Sequence, residues 1–191
     1  RYGENPHQEA AIYGSFSNYF TRLQGKDLSY TNVLDVASAA ELISEFSRPT
    51  VAILKHTNPC GVGCAEEGEG LREAWEKAFE TDKQAPFGGV IVCNRPLTED
   101  VARVIGEIFT DIIIAPDFDA DARAILQKKK SLRLIRVADE FFANAINQPV
   151  IRSAPGGLLV MEADPKVLGL DGIEEKVKTT RPPSAEEIDA M

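Results

Sequence analysis

The chain has 191 residues, 43% of them hydrophobic, with 30 acidic against 21 basic side chains and a formal net charge of −9. That is enough apolar sequence for one ordinary domain, or for a large piece of a bigger one, and the acidic balance argues against nucleic acid or an anionic membrane as a partner. The three cysteines, Cys60, Cys64 and Cys93, show no Cys-x-x-Cys spacing, so neither a disulfide framework nor a zinc ribbon is suggested. With no apolar stretch of about 18 residues and no signal-peptide pattern, the expectation is a soluble, cytoplasmic protein with reduced thiols.

Taken in chain order, residues 10–13 (Ala-Ala-Ile-Tyr) read as a short strand, and Leu34, Ala37, Leu42, Ile43 and Phe46 give residues 33–46 a helical pattern leading into a strand at 50–54. Leu71, Ala74, Trp75, Ala78 and Phe79 then fall at i, i+3, i+4, i+7 and i+8, the clearest helical stripe in the chain. Residues 89–93 are a buried strand. Thr98 caps a helix whose Val101, Val104, Ile105, Ile108 and Phe109 face the core.

Residues 111–115 form a third buried strand stopped by Pro116, 119–128 a helix, 132–137 a strand and 157–161 a last strand. Strands and helices alternating through short connections predict an α/β sheet covered on both faces. From about Glu162 the composition turns polar, which suggests a connecting arm over 162–191 after a unit spanning 1–161. Pro182-Pro183-Ser184-Ala185-Glu186-Glu187 reads as a capping box that starts a helix of about two turns. With Arg rather than Met at position 1, both ends suggest that the natural protein continues.

The chemistry concentrates in Lys55-His56-Thr57-Asn58-Pro59-Cys60-Gly61, which follows the apolar run Val51–Leu54. Loops beyond the carboxyl ends of strands carry ligands in open α/β sheets. An imidazole is the natural proton acceptor near pH 7, and an adjacent ammonium favours its neutral form and can stabilise a developing oxyanion. Adjacent residues of an extended segment point to opposite sides, so Lys55 and His56 share a site only if the chain bends, and Thr57-Asn58-Pro59 offers a bend. On spacing alone His56 is either a general base or a structural histidine capping a neighbouring element.

Gly61-Val62-Gly63 is either a fragment of a phosphate loop or a plain turn before the helix at 70, and it has neither a third glycine nor a Gly-Lys-Ser/Thr ending. Phe87-Gly88-Gly89 is either a strand-entry turn or a point of close ligand or backbone approach. Asp111, opening an apolar strand, is poorly placed unless it caps something or binds a ligand. Lys128-Lys129-Lys130 reads as a solvated helix end. His7 has no neighbouring cation and is not selected as a base.

Five blocks together resemble one family in order along nearly the whole chain: Arg1–Gln8, Leu23–Asn32, Lys55–Gly61, Pro86–Gly89 and Arg152–Gly157. It is the transformylase part of the bifunctional 5-aminoimidazole-4-carboxamide ribonucleotide (AICAR) formyltransferase/IMP cyclohydrolase family. The resemblance implies the first of two tandem cytidine-deaminase-like α/β/α units with a mixed sheet. It also implies formyl transfer from 10-formyltetrahydrofolate to the 5-amino group of AICAR in purine biosynthesis.

On that resemblance His56 is the proton acceptor, Lys55 stabilises the transition state, and Arg1, Tyr2, Gly88 and Asp111 contact the nucleotide. No metal is implied, because the His-x-Glu and Pro-Cys-x-x-Cys signature of zinc deaminases is absent: Pro59-Cys60 is followed by Cys64. The family's cyclohydrolase domain and second unit have no counterpart here, and its sites form across a homodimer. The chain is therefore expected to hold the acid–base half of a site and to be inactive alone. The competing functions are a non-catalytic purine-nucleotide-binding module and a deaminase-like hydrolase suggested by fold analogy.

Overall fold

Every side chain of Val90–Cys93 and Ile112–Ala115 is buried, which a strand achieves only when both faces of its sheet are covered. In the computed structural model, which describes residues 2–144, 149–163 and 180–189, these runs form the centre of a six-stranded mixed sheet in a three-layer α/β/α fold. The elements are α1 (Phe16–Tyr19), β1 (Phe20–Gln24), α2 (Tyr30–Ser44), β2 (Thr50–Lys55), β3 (Asn58–Cys64), α3 (Leu71–Thr81), β4 (Val90–Cys93), α4 (Glu99–Ile105), β5 (Ile112–Ala115), α5 (Ala120–Leu126), β6 (Arg133–Val137), α6 (Asp139–Asn144), β7 (Val150–Ala154), β8 (Gly157–Met161) and α7 (Ala185–Asp189).

The sheet order is β1-β6-β5-β4-β2-β3. Strands β4, β5 and β6 are parallel, β2 runs antiparallel to both β3 and β4, and β1 is antiparallel to β6. Alternation along the strands divides the core in two. Val51, Ile53, Ile91, Ile113 and Leu134 face α3, α4 and α5, whereas Ala52, Leu54, Val92, Ile114 and Ile135 face Val36, Ala40 and Ile43 of α2. Helix α2 starts three residues before the expected boundary because Ser29 and Asn32 form a capping box: each side chain accepts the other's backbone N–H, at 3.2 and 3.1 Å.

Several expectations are corrected. Residues 10–13 form no strand, and Ile12 and Tyr13 are exposed; the edge of the sheet is β1, whose Phe-Thr-Arg-Leu-Gln sequence is half polar because an edge strand is covered less than a central one, with Phe20 buried against one half of the core and Leu23 partly buried against the other. The supposed turn at Gly61-Val62-Gly63 is the middle of edge strand β3. Its glycines serve packing: a Cβ on Gly61 would lie 2.1 Å from the Ala78 carbonyl oxygen and one on Gly63 2.2 Å from that of Ala74, so only glycine lets α3 lie this close. Pro59 is tolerated because an edge strand does not need every ladder donor.

Thr98 occupies the N-cap of α4 without the expected side-chain cap bond, its hydroxyl donating to Asp100 instead. Residues 157–161 do form a strand, but outside the main sheet, as half of the separate β7–β8 hairpin. Lys129 reaches back to donate to the Ile108 carbonyl at 2.7 Å, so not all of the lysine run is solvated. Ser184 and Glu187 make the expected capping box of α7, while most of the intervening arm lies outside the described residues.

Candidate active site

Strand β2 ends at Lys55, which pairs with Asn58, the first residue of β3. Only His56 and Thr57 remain to reverse the chain, and both have positive φ, +55° and +64°. A two-residue hairpin turn with both central residues left-handed matches strand twist but normally takes Asn-Gly. For residues with a Cβ it costs roughly 1–2 kcal/mol each. The turn is held by three bonds: Thr57 N–H donates to Asp35 Oδ1 at 2.9 Å, Asn58 Nδ2 to the His56 carbonyl at 2.8 Å, and the Thr57 hydroxyl to the same carbonyl at 2.6 Å. The bend thus falls at His56-Thr57 itself, one residue earlier than the sequence suggests.

Lys55 Nζ donates to the carbonyl of Phe87 at 3.0 Å, joining the end of β2 to the loop that enters β4. That loop turns at Gly88, where φ is +73° and the N–H donates to Phe109 O at 2.7 Å. Gly89 follows with its Cα so near β2 that a Cβ would sit 2.8 Å from Leu54 O. Turn and close approach, the two alternatives for this block, are therefore divided between its two glycines. Asp111 N–H donates to Gly89 O at 3.0 Å, so Lys55, Gly89 and Asp111 lie one residue on from the paired positions Leu54, Val90 and Ile112.

Asp111 is not unpaired in its apolar setting. Its carboxylate takes Arg133 from the start of β6 at 2.5 Å and Asn32 Nδ2 from the first turn of α2 at 3.2 Å. Asp35 lies three residues after Asn32 on the same helix face. Burial pushes its carboxyl above the ordinary value and the charge of Asp111 adds to this, while the Thr57 N–H and His56 pull it back. Asp35, Asn32 and Arg133 were not singled out from sequence. The usable signals were the capping-box spacing at Ser29–Asn32 and an arginine opening a largely apolar strand next to one preceded by an aspartate.

The site departs from the strand-end rule. Because β2 is antiparallel to β4, its carboxyl end meets the amino ends of β4, β5 and β6, so the cluster sits at the opposite end of the parallel strands from the usual ligand crevice. His56 is exposed and Lys55 half-buried. Tyr2 lies with Leu28, Ser29 and Tyr30 along a cavity of about 190 Å³ at the amino end of α2, the same turn that carries Asn32. Arg1 lies outside the described residues. His7 is exposed in an N-terminal turn tied by Gln8.

Two of the thiols are held in their protonated form. Burial raises Cys60, and it pushes Cys93 up to about 12. Among the described residues no group of three or more His, Cys, Asp or Glu side chains is placed to hold a metal ion, and no helix is long and apolar enough to cross a membrane. The edge of this α/β unit can supply a proton acceptor, a cation for developing negative charge and a fixed carboxylate.

The family model described as AICARFT/IMPCHase bienzyme matches residues 1–191, and the chain belongs to that family. It is similar to the bifunctional purine biosynthesis protein PurH of Chloroflexus aurantiacus, 49% identical over 194 residues that cover all of this chain and 36% of that protein. PurH of Chlorobium phaeobacteroides strain BS1 is 47% identical over 201 residues, covering 100% of this chain and 37% of the relative. The chain thus spans little more than a third of the length of the curated relatives it matches. Among solved structures, the apo dCMP deaminase of cyanophage S-TIM5 aligns with a TM-score of 0.40 and 13% identity over 53% of this chain and 94% of that one.

Proposed function

We propose that this chain carries the acid–base part of an AICAR formyltransferase site acting in purine biosynthesis, with 10-formyltetrahydrofolate as cosubstrate. Family membership and the PurH relatives support the pathway. The observation that carries the chemistry is the placing of His56 on a strained turn, with Lys55 tied to the Gly88 loop beside it.

In this reading the 5-amino nitrogen of AICAR attacks the formyl carbon of 10-formyltetrahydrofolate. A C–N bond forms and the carbonyl π electrons move onto oxygen. That amine is a weak nucleophile, because its lone pair is delocalised into the imidazole and carboxamide, so removing its proton as the bond forms lowers the barrier. His56 accepts the proton. Lys55 stabilises the tetrahedral oxyanion. Collapse breaks the bond to N10 of the folate, which leaves and takes up one proton, balancing the one that His56 removed from the amine and returns to solvent, to give tetrahydrofolate and formylated AICAR. Arg1, Tyr2, Gly88 and Asp111 bind the nucleotide, Asp111 being held rigid by Arg133 and Asn32. No step requires a metal.

The open setting of His56 and the short span against the relatives support a further part of the reading, that this chain alone is inactive and that the full-length protein works as a homodimer; it acts in the cytoplasm on small molecules, without nucleic acid or membrane, a reading that the net charge of −9 favours. The test is formyl transfer by the full-length protein with and without His56→Ala. Loss of turnover with AICAR binding retained supports the enzyme. Binding without turnover in the unsubstituted protein would indicate a nucleotide-binding module.

A further inference from the structure

The His56–Thr57 turn is a conformation that two residues with a Cβ adopt only when their surroundings over-determine it. Two of the three bonds that hold it are local, made within residues 56–58. The third is not: the Asp35 carboxylate reaches from the first part of α2 and takes the Thr57 N–H at 2.9 Å across a separation of 22 residues. This bond fixes where the turn stands relative to the rest of the site. The same helix face presents Asn32 to Asp111, which Arg133 holds from its other side. The two halves of the site, the Lys-His turn and the carboxylate, are thus referred to one rigid helix whose Val36, Ala39, Ala40 and Ile43 are fully buried.

We propose that Asp35 is a positioning residue for this site: by accepting the Thr57 N–H it holds His56 in the left-handed turn and sets its place relative to Asp111 through α2. The proposal rests on the acid–base role given above to His56. Asp35 touches no reacting atom. Its function is to keep the proton acceptor in the geometry for attack, where small misplacements cost rate more than affinity.

The experiment uses the full-length protein with Asp35→Ala, Asp35→Asn and His56→Ala. Steady-state formyl transfer, AICAR binding by calorimetry and hydrogen exchange of the peptide spanning Leu54–Cys60 are measured for each. Asp35→Ala is expected to lower kcat at least tenfold, to leave the AICAR dissociation constant within about threefold, and to accelerate exchange in that peptide. Asp35→Asn keeps an acceptor oxygen, so it is expected to recover most of the rate and the protection, even if Asp35→Ala is poorly folded. The inference is overturned if His56→Ala abolishes turnover while Asp35→Ala stays within twofold of the parent. It is overturned equally if Asp35→Asn is as impaired as Asp35→Ala, or if exchange in the peptide is unchanged. Turnover retained in His56→Ala would instead sink the functional reading, and the catalytic half of this inference with it.

Discussion

The guanidinium of Arg133 and the carboxylate of Asp111 meet at 2.5 Å across the amino ends of β5 and β6, with Arg133 only 13% exposed. The carboxylate sits at the mouth of an apolar strand because the cation opening the next strand neutralises it. Arg133→Met should therefore leave Asp111 with Asn32 as its partner and destabilise the fold by about 2 kcal/mol. Urea unfolding of the parent and variant measures this. A change below about 0.5 kcal/mol would mean that solvent replaces the pair.

Gly61 and Gly63 set the distance between β3 and α3. Gly61→Ala or Gly63→Ala forces a methyl group onto the backbone carbonyls of Ala78 or Ala74, which cannot rotate away. Each should cost about 3 kcal/mol, read as a lowered unfolding midpoint. Gly156→Ala makes a useful contrast: nothing lies within 4 Å of its Cβ position, so only its φ of +77° resists, and a loss nearer 1 kcal/mol is expected.

Thr57 adopts φ +64° despite its branched Cβ. Thr57→Gly retains the amide that donates to Asp35 and removes the steric cost, so stability should rise by up to about 1 kcal/mol. Thermal unfolding checks the sign. A clear loss of stability would show that the Thr57 hydroxyl bond to the His56 carbonyl outweighs the strain.

Asp35 gives a pH signature. Burial raises its folded-state carboxyl above the ordinary 3.8, so the folded state favours the protonated form more than the unfolded state does. This contribution is fully present below about pH 3.8 and is lost as the pH rises through the raised folded value. Asp35→Asn cannot ionise and should gain stability relative to the parent between pH 3.8 and neutrality. The difference in Tm between the two proteins, followed with pH, should move in favour of the asparagine variant. A flat difference would contradict the burial argument.

Much of this architecture was legible because its central elements are local and strongly patterned. The stripe through Leu71, Trp75 and Ala78 and the fully apolar β4 and β5 leave little choice. The edges were harder to read. Strand β1 is half exposed and polar, and β3 carries Pro59, Gly61 and Gly63, residues that signal a turn in sequence but here suit an edge strand pressed against a helix. Strand β8 was legible as a strand but not as part of a separate hairpin, where Leu158, Leu159, Val160 and Met161 are all exposed and strict alternation is absent. Within the candidate site, the Lys-His pair, Gly88 and Asp111 stand out in sequence as polar or glycine positions bordering apolar strands. Their supports do not, because Thr57–Asp35 and Asn32–Asp111 join positions 22 and 79 residues apart, and no local pattern encodes such a contact.

The most direct test of the central claim is tetrahydrofolate release from 10-formyltetrahydrofolate in the presence of AICAR, for this chain and for the full-length protein, each with and without His56→Ala. If His56 is the base, there is no turnover from this chain, turnover from the full-length protein, and a fall of roughly 10²–10⁴ in kcat on removing the imidazole, with AICAR still bound. A folded full-length protein that transfers no formyl group, or one indifferent to His56→Ala, would contradict that assignment.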